Sequence, residues 1–271
     1  MKIGVVGKGG VGKTTLSSLL CLEYIERGQR VVAIDTDSNP NLAMSLGLDE
    51  DTANHAPLVP RSLVVGPGSG KLTPAQLLEE YGLRTPGGVI LLHAMRVEQA
   101  GAGCTCVSHA TVRSLLGMAM EENADMTLVD MEAGLEHLSR AGGTLAYADV
   151  LLMVMEPTHK SIMTAARTVP LAEELGIPRI YGVGNKAKAP DEELFVKLTA
   201  EYGVPLAGVV PFNVAVPRSD RAGTPLAADQ GADVRAAVAR IVDVVESEEE
   251  QRLALLRQRE KLQDRISALQ Q

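Results

Sequence analysis

A glycine-rich run near the start of the chain has the residue types and the spacing of a phosphate site. It directly follows the apolar residues 2–6 and reads Gly7-Lys8-Gly9-Gly10-Val11-Gly12-Lys13-Thr14-Thr15. Glycines allow a backbone to wrap around phosphate, so that consecutive N–H groups point inward at the start of a helix. At this spacing Lys13 neutralises the β- and γ-phosphates, and the Thr14 hydroxyl can ligate Mg²⁺. We expect all of this run except Lys8 to contact a nucleotide bound by the same chain.

Three acidic residues follow short apolar runs further along the chain. Asp35 and Asp37 come after residues 30–34, and Asp130 comes after residues 126–129. In open parallel sheets, ligands bind beyond the carboxyl ends of the strands. We therefore expect these acids near the glycine-rich run, although an acid at a strand end can also simply cap a helix.

The cysteines divide into one isolated residue and one closely spaced pair. Cys21 falls at an apolar position of the predicted first helix, so we expect an inert core thiol. Cys104 and Cys106 lie in a glycine-rich loop just before another predicted helix, where the thiolate form is favoured. Two thiolates are an incomplete site for a soft metal, but a two-fold dimer would bring four together, enough for Zn²⁺ or Ni²⁺. Buried thiols or a chance pairing are the alternatives.

The strands and helices that position these candidate site residues follow a regular pattern, in which short apolar runs alternate with helical stretches. Short apolar runs suit strands that are buried on both faces of a parallel sheet. We predict strands at residues 2–6, 30–34, 89–93, 126–129, 150–155, 179–183 and 207–211, with helices at 14–27, 107–123, 161–175 and 191–202. This order predicts a doubly wound α/β fold, with a mostly parallel sheet and helices on both faces.

Two segments depart from this alternation. Residues 49–86 are rich in glycine, proline and polar residues, and within them we predict only residues 74–81 as helix. The last residues, 246–271, carry dense mixed charge without glycine or proline, which predicts a protruding helix. We therefore expect one P-loop domain over residues 1–245 and a helical tail over residues 246–271.

The composition excludes several classes of protein. Hydrophobic residues make up 45% of the chain and charged residues 22%, which predicts a folded protein with a sizeable core. The net charge of −8 has the wrong sign for a nucleic-acid backbone as partner, and the 3% aromatic content argues against stacking platforms for single strands. Three cysteines and the lack of a long apolar run predict a cytoplasmic protein without a membrane span. Together with the negative charge, they lead us to expect neither nucleic acid nor membrane as a partner.

The glycine-rich run resembles the deviant Walker A loop of the ATPase group that contains MinD, ParA and the nitrogenase iron protein. In that group the first lysine reaches the phosphates of the opposing subunit in a nucleotide-sandwich homodimer. The resemblance implies this role for Lys8, which would add positive charge in the transition state. It also implies that Asp37 orients the attacking water. Lys8, Lys13 and Asp37 are therefore the expected catalytic residues of an ATP hydrolase.

The same resemblance implies the remaining contacts of ATP, ADP and Mg²⁺. Asp130 would hold the metal's water shell, with Thr14 as a ligand, while Asp35 would support the metal or the phosphate loop. Asn185 and Lys186 resemble the pair that reads the base in this group. The second wall of the adenine site would consist of Pro211, Phe212 and Asn213.

The Cys-x-Cys loop, together with residues 129–140, is similar to the CooC-type ATPases, which are nickel-insertion accessory proteins of carbon monoxide dehydrogenase. This resemblance covers most of residues 1–240. It implies an ATP-dependent homodimer that binds nickel or zinc through Cys104 and Cys106, with carbon monoxide dehydrogenase or a similar nickel enzyme as its client. Two residues depart from the family pattern: Glu132, where glycine is usual, and Thr105, where an aromatic residue is often found.

Two other functions remain as alternatives. A reductase like the nitrogenase iron protein would share an iron–sulfur cluster across the dimer. In that family a second cluster ligand is a cysteine that comes shortly after the segment matching Asp130. Here no cysteine follows Cys106. A positioning ATPase of the MinD or ParA type would bind membrane or DNA. The tail lacks aromatic residues and has near-zero net charge, which argues against a membrane anchor, and such an ATPase does not need the cysteine pair.

Overall fold

Eight strands form one sheet in the computed structural model, which describes residues 1–37, 41–64, 72–94, 106–117, 123–131 and 145–247. For Arg61, Val64 and residues 106–110 it describes the backbone alone. The strands are β1 (Lys2–Gly7), β2 (Val31–Asp35), β3 (Leu83–Arg84), β4 (Ile90–His93), β5 (Met126–Asp130), β6 (Val150–Met155), β7 (Arg179–Ala187) and β8 (Leu206–Pro211).

Helices connect most of these strands. Those that the structure describes are α1 (Lys13–Glu26), α2 (Asn41–Ser45), α3 (Glu50–Asn54), α4 (Arg61–Val64), α5 (Pro74–Tyr81), α6 (Cys106–Gly117), α7 (His159–Glu174), α8 (Asp191–Glu201), α9 (Ala215–Ala222) and α10 (Ala232–Glu246). None of the described helices is both long and apolar enough to cross a membrane.

The strand order is β3-β4-β2-β5-β1-β6-β7-β8, with every pair parallel except the short edge pair β3 and β4. The first strand therefore lies between β5 and β6, near the middle of the sheet. The order reverses on either side of β1, and open α/β sheets bind ligands beyond the strand ends at such a point. The glycine-rich run leaves the sheet at this position.

The sheet separates two hydrophobic cores. Along β2, Val31 and Ala33 face one core and Val32 and Ile34 the other, so the strand is buried on both sides. The first core packs against α1 and α10, and the second against α6, α7 and α8. Cys21 is fully buried in the first core, and this burial raises the pKa of its thiol, which confirms the predicted inert core residue.

The predicted fold class is confirmed, and all seven predicted strands are present within a few residues. The segment 49–86 differs from expectation, because α3, α4 and the edge strand β3 also lie there. Of the predicted tail, only residues 246 and 247 are described, and Glu246 is the last residue of α10. The division into a domain and a tail at residue 245 stays a prediction.

Candidate nucleotide site

The phosphate loop has a conformation that requires its glycines. Gly10 and Gly12 have φ angles of 79° and 95°, in the left-handed region that side chains disfavour. A Cβ on Gly7 would lie 2.6 Å from the Val154 carbonyl oxygen, and one on Gly12 would collide with the Asn185 amide. Gly12 caps α1 without a side-chain hydrogen bond, so the N–H groups of the first turn are available to an anion. The loop therefore fits a polyphosphate.

The two lysines of the loop have different environments. Lys13 is 9% exposed, and its Nζ donates a hydrogen bond of 3.1 Å to the carbonyl oxygen of Lys8. Its ammonium charge also lies close enough to Asp130 to oppose the rise that burial causes in the pKa of that carboxyl. The Lys8 side chain is exposed to solvent. Lys13 thus belongs to the loop of its own chain, whereas Lys8 is accessible from outside.

Asp130 lies buried at the end of β5, directly below the start of α1. Its Oδ1 accepts a hydrogen bond of 3.0 Å from the Ser17 hydroxyl. Burial raises the pKa of Asp130 to about 6, although hydrogen bonds from Thr14 and Ser17 and the charge of Lys13 oppose the shift. A carboxylate and a threonine hydroxyl are hard oxygen ligands of the kind that Mg²⁺ prefers. The predicted Mg²⁺ residues Thr14 and Asp130 therefore fit the ion.

Asp35 lies beside Asp130, because β2 and β5 pair in a register that sets these two residues opposite each other. It is 1% exposed, and its Oδ1 accepts a hydrogen bond of 3.0 Å from the Asp37 N–H. Its Oδ2 accepts no hydrogen bond from the described part of the chain and lies 4.0 Å from Nδ1 of His93. Burial and the charge of Asp130 raise the pKa of Asp35 well above its usual range.

The predicted base-reading residues hold the phosphate loop as well as lining a cavity. The Asn185 Nδ2 donates a hydrogen bond of 2.8 Å to the Val11 carbonyl oxygen. Lys186, the one described non-glycine residue with a positive φ, donates from its Nζ to the Gly10 carbonyl oxygen. The same Nζ forms an ion pair of 2.7 Å with Glu156. The end of β7 thus contacts the loop through two side chains.

The cavity beside this contact has a volume of about 260 Å³ and joins the phosphate loop to the ends of β7 and β8. Pro211, Phe212 and Asn213 line it together with Asn185 and Lys186, as the predicted base site requires. The Phe212 ring is 46% exposed and carries the Lys188 ammonium 5.6 Å from its centroid. A mostly apolar cleft of this kind, next to a phosphate loop, suits a purine base.

The structure also gives positions to residues for which the motifs predicted no role in the site. Ser17 holds Asp130, Glu156 holds Lys186, and Asp220 lines the base cavity. The spacing of Ser17 one helical turn after Lys13 could have suggested its position, but nothing in the sequence pairs Glu156 with Lys186.

The predicted soft-metal site cannot be placed. Cys104 lies outside the described residues, and Cys106 is described only as the first residue of α6. Residues 132–140, which follow Asp130, also lie outside them. Within the described ranges no three His, Cys, Asp or Glu side chains are grouped to hold a metal ion.

The sequence matches the CobQ/CobB/MinD/ParA nucleotide binding domain family over residues 3–226. This chain belongs to that family. The family is one of nucleotide binding domains, and in this chain the phosphate loop and the cavity beside it are shaped to accept a nucleotide. The protein is therefore a P-loop ATPase.

Two relatives extend the family assignment over most of the chain. The carbon monoxide dehydrogenase accessory protein CooC of Rhodospirillum rubrum is 35% identical over 236 residues, covering 82% of this chain and 88% of its own. An ATP-binding protein of Methanocaldococcus jannaschii is 34% identical over 245 residues, covering 86% and 93%. These relatives confirm the predicted resemblance to the CooC-type ATPases of the CobQ/CobB/MinD/ParA family.

Solved structures of family members share the fold. MinD of Pyrococcus horikoshii, in complex with Mg-ADP, superimposes with a TM-score of 0.69 at 19% identity, covering 91% of this chain and 96% of its own. Cobyrinic acid a,c-diamide synthase of Mycobacterium smegmatis, with bound ADP and magnesium, gives 0.61 at 19% identity, covering 91% and 95%. The architecture of this chain is thus that of the wider CobQ/CobB/MinD/ParA family.

Proposed function

We propose that this protein is a maturation ATPase that binds nickel or zinc through Cys104 and Cys106 at a homodimer interface. Its client in this proposal is carbon monoxide dehydrogenase or a similar nickel enzyme in the cytoplasm. The observation that carries the proposal is the 35% identity to CooC of Rhodospirillum rubrum over 82% of the chain, together with the cysteine pair. Four thiolates from two chains would complete the coordination of a soft metal.

The described residues support a division of labour in ATP hydrolysis. Lys13 and the N–H groups of the loop bind the β- and γ-phosphates, while Thr14 and Asp130 would hold Mg²⁺, which would supply positive charge to neutralise the phosphates. Asp37 orients a water for attack on the γ-phosphorus, and the bond to the bridging oxygen breaks to give ADP and phosphate. Lys8, being exposed, is free to reach the phosphates of a second subunit.

The nucleotide site and the cysteine segment are joined through the end of β4. The Ala94 N–H donates a hydrogen bond of 3.0 Å to the carbonyl oxygen of Asp35. Eleven residues after Ala94 separate this contact from the first residue of α6, Cys106. In this proposal ATP binding changes the metal site, and the contact of Ala94 with Asp35 supports it by placing the start of the segment that leads to both cysteines at the nucleotide site.

The first experiment is metal analysis of protein purified without oxygen, with the double variant Cys104→Ala/Cys106→Ala as comparison. We expect nickel or zinc at half an equivalent per chain in the wild type and none in the double variant. Cys21→Ala is the matched control, because it removes a buried thiol far from solvent and should leave the metal content unchanged. Iron and sulfide with broad visible absorption would instead identify an iron–sulfur reductase.

The second experiment measures the coupling between the sites. Nickel is titrated into the apo, ADP-bound and ATP-bound forms of Asp37→Asn, which should bind ATP without hydrolysing it. We expect the affinities to differ between nucleotide states by a factor in the usual range of about 5–150. Equal nickel affinity in all three states would overturn the insertion mechanism even if both sites bind their ligands.

A further inference from the structure

Thr36 lies between two acidic residues of the nucleotide site, and its side chain is buried. It follows Asp35, the last residue of β2, and precedes Asp37. Its Oγ1 donates a hydrogen bond of 2.9 Å to the carbonyl oxygen of Asp130, at the end of β5. The same Oγ1 lies 3.8 Å from the Sδ of Met131. One hydroxyl thus joins the ends of two neighbouring strands.

The sheet does not need this hydroxyl to be complete. The Thr36 N–H already donates a hydrogen bond of 3.1 Å to the same carbonyl oxygen of Asp130, which continues the pairing of β2 with β5. A carbonyl oxygen has two lone pairs and can accept both bonds. If the hydroxyl were removed, this oxygen would keep its backbone partner, so no buried acceptor would be left unsatisfied. The side-chain bond is therefore an additional contact at the point where the two strands end.

Negative charges surround this contact. Burial raises the pKa of both Asp35 and Asp130, and the negative charge of Asp37 adds to each shift. Three carboxylates at such close range repel one another when they are ionised, which favours separation of the segments that carry them. The Asp35 Oδ1 opposes this by accepting a hydrogen bond of 3.0 Å from the Asp37 N–H. The two bonds of Thr36 oppose it from the side of β5.

The hydroxyl affects the position of Asp37 more directly than that of the Asp130 carboxylate. That carboxylate is positioned from α1, where the Ser17 hydroxyl donates a hydrogen bond of 3.0 Å to it. Asp37, in contrast, is the next residue in the chain after Thr36. Loss of the Thr36 hydroxyl should therefore disturb the placement of Asp37, while the groups that bind the nucleotide and Mg²⁺ stay in place.

We propose that Thr36 is a positioning residue of ATP hydrolysis, which holds Asp37 where it orients the attacking water. The Thr36 hydroxyl connects the segment that carries Asp37 to the backbone of Asp130. The loss of one such hydrogen bond should change the rate of hydrolysis about tenfold. The inference rests on the role proposed above for Asp37, and it does not depend on the proposed metal or client.

The test separates the hydroxyl of Thr36 from its shape. Thr36→Val keeps the shape and removes the hydroxyl, whereas Thr36→Ser keeps the hydroxyl and removes a methyl group. In Thr36→Val, kcat for ATP should fall about tenfold, while KM and the affinity for Mg-ADP stay within about twofold of the wild type. Thr36→Ser should lose no more than about threefold in kcat.

Thr199→Val is the matched control. It removes another buried hydroxyl, which donates a hydrogen bond of 2.6 Å to the Phe195 carbonyl oxygen within α8. Because this bond lies outside the nucleotide site, Thr199→Val should keep the kcat of the wild type. A kcat in Thr36→Val equal to that of the wild type would overturn the proposal. So would a larger loss of kcat in Thr36→Ser than in Thr36→Val.

A second measurement determines whether Thr36 acts through Asp37. Asp37→Asn should lose most hydrolysis, and the addition of Thr36→Val to this variant should lower the residual rate no further. A further tenfold loss in the double variant would show that Thr36 acts by another route and would overturn the proposal.

The same variants distinguish this proposal from the function proposed above. Unchanged hydrolysis in Asp37→Asn would overturn the role of Asp37 together with that of Thr36. Loss of hydrolysis in Asp37→Asn, with full kcat in Thr36→Val, would overturn the role of Thr36 alone. Failure of metal binding or of client activation, with the expected kcat values, would count against the proposed function and not against the role of Thr36.

Discussion

At the scale of single residues, Asp130 is an acidic side chain that is buried where its negative charge is unfavourable. Burial raises its pKa to about 6 from an ordinary value near 3.8, so the folded state binds its proton more tightly than the unfolded state does. Stability is therefore lost as pH rises between those two values. A residue that destabilises the apoprotein at neutral pH, yet lies beside Thr14 and the phosphate loop, is suited to bind Mg²⁺.

Asp130→Asn should accordingly stabilise the apoprotein while weakening its binding of Mg-ADP. We expect a gain of about 1–3 kcal/mol in the free energy of unfolding above pH 6, because the unfavourable buried charge is removed. The gain should vanish below about pH 4, where the wild-type carboxyl is protonated in both states. Denaturant unfolding between pH 4 and 8, with ADP titrations at high and low Mg²⁺, measures both effects.

Asp125→Asn is the matched control with the opposite sign. Hydrogen bonds from Arg30 lower the pKa of Asp125 to about 2, so its ionised form stabilises the folded state. This contribution is present above an unfolded pKa near 3.8 and is lost as pH falls toward 2. Asp125→Asn should therefore destabilise the protein at neutral pH. A stabilised Asp125→Asn, or an Asp130→Asn no more stable than the wild type, would contradict this account.

The site residues that the sequence predicts best are those of the phosphate loop, which lie together in one short segment. Lys13 and Thr14 are identified by spacing, since the loop and helix that position them are continuous in sequence. The ion pair of Lys186 with Glu156 and the hydrogen bond of Ser17 to Asp130 join distant parts of the chain. Such partners depend on strand order and on side-chain reach, which periodicity does not contain. The cysteine pair was found from spacing alone and stays a prediction.

At the scale of elements, α1 is fixed at both ends, by the phosphate loop at its start and by α10 at its end. Arg27, just after α1, donates a hydrogen bond of 2.8 Å to Glu23 in its own helix. It also donates 2.8 Å and 3.1 Å bonds to Asp243 and Glu246 of α10, and a further bond to the Ala239 carbonyl oxygen. One guanidinium thus joins two helices of the same core.

Arg27→Ala should lower the free energy of unfolding by about 1–2 kcal/mol, because it removes several charged hydrogen bonds and the packing of the stem. Arg30→Ala is the comparison, since it breaks a more exposed pair with Asp125 and should lower stability by less than Arg27→Ala does. Chemical denaturation of both variants measures the difference. An equal or larger loss for Arg30→Ala would show that the connection between α1 and α10 is energetically unimportant.

The strands were predictable because a parallel sheet buries them on both faces, and runs such as residues 150–155 are continuously apolar. Short helices such as α3 were not, because one turn has no periodicity and depends on local caps. Asp49 supplies that cap by accepting a 2.8 Å hydrogen bond from the Thr52 N–H. The helix α10 was overlooked although its buried residues repeat at helical spacing: Val234, Ala237, Val238, Ile241, Val242 and Val245.

At the scale of the whole molecule, the proposed dimer makes Lys8 and Lys13 separable. Lys8→Ala should keep ADP binding within about twofold but lose most ATP hydrolysis. The reason is that the Lys8 charge acts on the phosphates bound by the second subunit, during hydrolysis, and not on the nucleotide of its own chain. Lys13→Ala should lose nucleotide binding itself. Lys197→Ala, an exposed lysine on α8, is the control. Turnover measured against protein concentration tests the point, and wild-type turnover in Lys8→Ala would show that this lysine acts in neither subunit.

The position of β1 in the sheet has a consequence for the time at which the protein becomes competent. Its two neighbours arrive late in synthesis, since Lys2 pairs with Thr127 of β5 and Ile3 with Val150 of β6. Translation at about 5–20 residues per second leaves the strand without those neighbours for roughly 7–30 s. An apolar strand without its neighbours for that long exposes surface that favours aggregation until β5 and β6 are made. The phosphate loop that follows β1 can therefore fold only after β6 has been made. Nucleotide binding would then stabilise the complete sheet and not an earlier, partly synthesised chain.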